Sequence, residues 1–224
     1  MIAFPSPNFS DRRGGALPSL IVIHYTAMAS CAEARARLCA PEHEVSAHWL
    51  LSEAGQAEAL VPEALRAWHA GVGAWAGITD VNSHSIGIEL ANTGSQPFPE
   101  PQMAALEDLL RGIMARWQIA PQGVIGHSDM APLRKSDPGA RFDWRRLARQ
   151  GLSIWPADVA AAPAEAFLPA LRCFGYPEAP PEALLTAFRL RFRPTARGPL
   201  DSIDAGMACA LARRFAVDDA PVPA

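Results

Sequence analysis

Three short apolar runs constrain this chain more than any other feature, because each is too short for an ordinary helix and two of them carry a histidine at or next to their end. Leu20–Tyr25 (LIVIHY) is rich in β-branched residues and reads as a buried strand. Ser85–Leu90 (SIGIEL) alternates cleanly, with Ile86, Ile88 and Leu90 on one face and Ser85, Gly87 and Glu89 on the other. That pattern predicts a half-buried strand with a carboxylate on its open face. Val124–His127 is a third short strand. Helical patterns lie between them. Ser30–Ala40 begins with an N-cap serine, has Glu33 at capping-box spacing, and meets Pro41 as a stop. Gln102–Trp117 repeats Met103, Leu106, Leu110 and Ile113 at the helical period, and Asp143–Gln150 reads as a short helix. Weaker strand patterns, Ser46–Ser52 and Glu58–Val61, flank a turn at 53–55, and 71–83 and 128–141 read as irregular. Strands alternating with helices predict an α/β fold, a central mixed β-sheet flanked by helices.

Residues 1–18 read as an extended arm on a first domain spanning 1–156. An Ala/Pro-rich linker, 157–166, leads to a small C-terminal helical domain at 167–217, with apolar patterns at Phe167–Phe174, Glu182–Phe192 and Ser202–Phe215. A unit of that size is marginal alone. Half the residues are hydrophobic and the net charge is −3, so a core is affordable and nothing suggests nucleic acid as a partner. No run approaches the ~18 apolar residues of a membrane span. The opening residues lack the basic start and apolar stretch of a secretory signal, so the expected compartment is the cytoplasm, or the periplasm if the true start lies upstream. Cys31, Cys39, Cys173 and Cys209 form no CxxC pair and read as free thiols of a reducing compartment.

His24 and His127 both fall at the ends of buried strands, where side chains emerge at the rim of a sheet. Either ring alone reads equally well as a core histidine bonded to backbone. Behind His127 the loop HSDMAPLRKSDPG carries Asp129, Arg134, Lys135 and Asp137. Two imidazoles and a carboxylate make a standard ligand set for catalytic zinc, with one position left for water. A solvated charged turn fits the same residues, and spacing alone does not choose. His43, His48 and His84 read as structural or surface residues.

The four separated motifs VIHYTA at 22–27, WHAG at 68–71, SIGIEL at 85–90 with Asn92, and GHSDMAPLRKSDPG at 126–139 resemble, in order, the zinc-dependent N-acetylmuramoyl-L-alanine amidases of the AmpD/AmiD type. That fold is shared with T7-lysozyme-like amidases and peptidoglycan recognition proteins. The resemblance implies Zn2+ held by His24, His127 and Asp137, with Glu89 as catalytic carboxylate and Lys135 as oxyanion partner. It implies cleavage of the amide between N-acetylmuramic acid, or its 1,6-anhydro form, and L-alanine in muropeptides during wall recycling. The alternatives are a recognition module that only binds peptidoglycan, or an amidase acting on intact periplasmic wall. The complete residue set favours an enzyme. Trp68, His69, Asn92 and Arg134 are expected substrate contacts, and Asp129 a partner of a zinc histidine or a solvent-exposed carboxylate. Residues 174–215 resemble the three-helix peptidoglycan-binding domain appended to AmiD-type amidases.

Overall fold

The computed structural model describes residues 2–217. In chain order the strands and helices are β1 Ile2–Ala3, β2 Phe9–Ser10, β3 Leu20–Tyr25, α1 Cys31–Cys39, β4 Trp49–Leu51, β5 Ala57–Ala59, β6 Arg66–Ala67, α2 Val81–His84 and β7 Ser85–Leu90. They continue as α3 Glu100–Trp117, β8 Val124–Gly126, α4 His127–Met130, α5 Trp144–Arg149, α6 Phe167–Phe174, α7 Pro181–Phe192 and α8 Ser202–Phe215. The main sheet has the order β1-β5-β4-β7-β3-β8, and β2 pairs with β6 separately. β3 runs parallel to β7 and β8, and β4 parallel to β7, while β4 and β5 are antiparallel. The sheet is therefore mixed and carries helices, as the alternation predicts. Ser30 caps α1 by accepting the Glu33 N–H at 3.2 Å. α3 starts two residues before Gln102, since Pro101 is tolerated in a first turn whose N–H groups have no intrahelical acceptor.

Strand alternation sorts two cores to opposite faces. Ile21, Ile23, Ile86, Ile88 and Leu90 pack with Leu106, Leu110 and Ile113 of α3. Leu20, Val22 and Ile125 pack with Phe167, Phe174, Phe188 and Leu211 from the last three helices. Residues 167–217 thus complete the core on one face of the sheet. The segment leading into them is strapped to α8: the Ala162 N–H bonds the Ser202 carbonyl at 3.0 Å, and a Cβ on Gly206 would lie 2.0 Å from the Ala160 carbonyl oxygen.

The junction corrects two expectations. Asp129 is neither exposed nor a partner of a site histidine. It is fully buried, where it accepts the Gly126 N–H at 2.8 Å, the Tyr176 hydroxyl at 2.6 Å and Arg191 Nη1 at 2.7 Å. Arg191 also donates to the Val124 carbonyl, and its guanidinium stacks 4.5 Å over Trp144. β7 is not half open either, because the segment after β6 covers Ser85 and Gly87. The single-turn helices α2 and α4 fall mostly in stretches expected to be irregular, and α4 takes in His127, expected as the end of a strand, since four residues are too few to show a 3.6-residue period. Among the described residues no disulfide joins the cysteines. Among the described residues no helix is long and apolar enough to cross a membrane.

His48 extends the β4–β7 pairing with its side chain. Its N–H bonds the Gly87 carbonyl at 3.0 Å, the Gly87 N–H returns to His48 Nδ1 at 2.9 Å, and Nε2–H donates to the Leu65 carbonyl at 3.0 Å. Both ring nitrogens are thereby committed to the neutral form. Burial, reinforced by the charge of Arg12, pushes the His48 pKa down to about 4.

Two outcomes follow from this packing. Arg191→Met should cost about 3–5 kcal/mol in chemical denaturation, because it leaves Asp129 buried and unpaired, and adding Asp129→Asn should recover much of the loss. For His48 the folded pKa lies below the unfolded value of ~6.5, so its stabilisation is complete above that pH and is lost as pH falls toward 4. Denaturant titrations from pH 7 to pH ~4.5 should accordingly show a shallower pH dependence in His48→Gln, by up to one proton, about 1.4 kcal/mol per pH unit.

Candidate active site

The parallel register of β3 and β7 sets His24 directly beside Glu89. Paired residues of neighbouring strands project to the same face, so imidazole and carboxylate emerge together at the carboxyl end of the sheet. β8, the next strand beyond β3, delivers His127 at its end, where α4 begins. The following loop folds back, and the Ser128 N–H bonds the Asp137 carbonyl at 2.9 Å. That return places the Asp137 carboxylate against both rings.

The three groups converge on one point. His24 Nδ1 lies 2.9 Å from His127 Nδ1, and Asp137 Oδ2 lies 3.0 Å from each. All three side chains are buried. The far nitrogen of His127 donates to the Ala70 carbonyl at 2.9 Å, which leaves Nδ1 with a bare lone pair. Burial and the adjacent His127 push the His24 pKa down to about 4, so that ring is neutral. Buried lone pairs facing one another at 3 Å need a cation between them. The spacing approaches the ~3.4 Å edge of a tetrahedron with bonds of ~2.1 Å, as in mixed histidine and carboxylate zinc sites. The described residues therefore contain a cluster able to hold a metal ion.

Beside it, Glu89 Oε2 is buried without a hydrogen-bond partner in the protein. Burial and the charge of Asp137 push the Glu89 carboxyl up to about 8, with Lys135 opposing. A cation at the neighbouring ligands lowers such a carboxyl toward neutrality, where proton transfer in both directions is efficient. Lys135 is the only lysine in the chain, and it lines the same cleft from its exposed loop. The cleft measures about 410 Å³ and is also bordered by Tyr25, Met28, Arg37 and Trp68.

The softer expectations divide. Trp68 and His69 line the cleft. Asn92 does not: it is buried, and its amide is spent on the Gln96 and Pro97 carbonyls and the Gly94 N–H. Arg134 borders the cleft, but its guanidinium donates to the Ala70 carbonyl at 2.5 Å and to the Val72 carbonyl, so it braces the 70–72 loop. Sequence reasoning passed over Asn82, whose Oδ1 accepts the N–H groups of both His69 and Ala70. Its place in a polar, loop-like stretch offered no signal. Gly87 carries a legible one: a Cβ there would lie 2.3 Å from the His69 ring, so glycine is what lets that ring seat on the strand.

The family model described as N-acetylmuramoyl-L-alanine amidase matches residues 14–140. The chain is 36% identical over 234 residues to N-acetylmuramoyl-L-alanine amidase AmiD of Escherichia coli, covering 89% of this chain and 84% of that protein. It is 32% identical over 160 residues to 1,6-anhydro-N-acetylmuramyl-L-alanine amidase AmpD of Citrobacter freundii, covering 64% of this chain and 86% of that one. The E. coli AmiD structure in complex with anhydro-N-acetylmuramic acid-L-Ala-D-gamma-Glu-L-Lys superposes with a TM-score of 0.83, at 32% identity and over 94% of this chain and 99% of that one. AmpDH3 of Pseudomonas aeruginosa gives a TM-score of 0.80 at 30% identity, over 92% of this chain and 95% of that one. With its motifs in order on this sheet and a metal-capable cluster at the sheet's carboxyl end, the chain belongs to the N-acetylmuramoyl-L-alanine amidase family of the AmpD/AmiD type.

Proposed function

We propose that this protein hydrolyses the amide between N-acetylmuramic acid, or its 1,6-anhydro form, and L-alanine in peptidoglycan fragments, with Zn2+ held by His24, His127 and Asp137. The observation that carries the reading is the convergence of three buried lone pairs within 3.0 Å, next to a buried Glu89 oxygen that lacks a partner. When bound, zinc polarises a carbonyl and makes water nucleophilic at neutral pH. Glu89 takes the proton of the attacking water and returns it to the departing nitrogen of L-alanine. Lys135 sets a fixed positive charge near the oxygen that becomes negative as the carbonyl carbon turns tetrahedral. Trp68 supplies an aromatic wall for the sugar or the first peptide residue. Residues 1–156 carry this chemistry, and residues 167–217 hold wall material beside it. Muropeptide fragments are favoured as substrate by the relatives, since AmpD is named for the anhydro form and AmiD is bound to an anhydro tripeptide ligand. Incubation with anhydro-muropeptides and intact sacculi in parallel, with products read by mass, tests this choice. Cleavage within the stem peptide, or binding without release of peptide from sugar, would sink the assignment.

Elemental analysis should find about one zinc per chain, as expected for a single site with three protein ligands, and His24→Ala should abolish stoichiometric retention. Glu89→Gln should keep fold and metal while turnover falls about 10²–10⁴-fold. Because Lys135 is the only lysine, amine-selective acylation should modify it and the N-terminus alone. Loss of that charge should lower turnover about 10²–10³-fold, and peptide mapping identifies the site of modification.

A further inference from the structure

The WHAG segment does more than line the cleft. His24 Nε2 lies 3.0 Å from His69 Nδ1, the two rings meeting edge to face at 80°. His69 Nε2 in turn lies 3.2 Å from Ser85 Oγ, and Ser85 Oγ–H donates to the Val81 carbonyl at 2.6 Å. The polarity of this chain is decided at its far end. A carbonyl only accepts, so the Ser85 hydroxyl hydrogen is spent on Val81, and Ser85 Oγ must accept from His69 Nε2–H. His69 Nδ1 is then bare and accepts from His24 Nε2–H. His24 Nδ1 is left with a free lone pair, aimed at the point it shares with His127 and Asp137. The next residue does the same for the second ring, since the Ala70 carbonyl accepts His127 Nε2–H. Both amides of this pair are gripped by one buried acceptor, Asn82 Oδ1, at 3.1 and 2.9 Å.

We infer that His69 is a positioning residue for metal binding: with Ala70, it locks the tautomer and aim of the two imidazoles that face the metal point. The inference rests on the zinc reading above. It assigns the His69 ring a different task from the substrate contact its motif suggests. A histidine held this way is a better ligand, because no tautomer has to be selected on binding and its far N–H has an acceptor.

His69→Phe keeps a ring of similar volume over Gly87 and removes the acceptor. Chelator competition on the full chain should show zinc bound about 10–100-fold more weakly than by wild type, with unchanged melting of the metal-free protein. His69→Gln, whose side-chain oxygen accepts from His24 and whose nitrogen donates to Ser85, should recover most of the loss. Zinc affinity in His69→Phe within about twofold of wild type overturns the inference, and a rise in KM with that result returns His69 to the substrate wall. A second measurement needs no variant to fold. Long-range 15N correlation of the zinc-loaded wild type should show His69 protonated at Nε2 and bare at Nδ1, and the opposite tautomer overturns the relay. Wild type that takes up no zinc at all removes the metal reading, and the inference with it.

Discussion

Everything at the site descends from the parallel pairing of β3 with β7. A register shift of one residue would send either His24 or Glu89 to the opposite face, into the core against α3. The register is held by burial, because Ile21, Ile23, Ile86 and Ile88 share one face and must stay together. It is also held by His48, which continues the ladder with a side-chain bond to the Gly87 N–H. Hydrophobic sorting and the alignment of His24 with Glu89 are here the same constraint.

The second device is polar and buried. Asp129 stands two residues beyond His127 and caps the turn that carries that ring. Its charge is balanced by Arg191 of α7, and the Tyr176 hydroxyl, from the loop between α6 and α7, donates a further hydrogen bond. The C-terminal helices therefore complete a core and also neutralise a carboxylate next to the His24, His127 and Asp137 cluster. Burying such a pair is weak evidence for net stability, but removing one partner is costly, so the two parts of the chain are coupled energetically. The aim of the His127 strand end is tied in this way to residues more than forty positions away in sequence.

The short WHAG segment works from the other side of the cleft. It lies over Ser85 and Gly87, seats one ring and one carbonyl against the two site histidines, and is braced by Asn82 and Arg134. Gly87 makes this possible by offering no side chain where the His69 ring sits. A cleft whose wall is also hydrogen-bonded to His24 and His127 has little freedom to shift without moving both rings.

The sequence by itself determined the main strands, the long helix with its 3.6-residue period and the three C-terminal helices, while the residues that meet at the site were named by the family resemblance of their motifs. Local pattern suffices there, because period, caps and strand-end position are properties of neighbouring residues. It did not determine which polar groups are spent on the protein itself. Asn92, Arg134 and Asp129 look available in the chain, yet each is committed to carbonyls, amides or a buried ion pair. Only the tertiary structure decided that, because hydrogen-bond partners and desolvation arise from segments distant in sequence, whose approach no local pattern encodes.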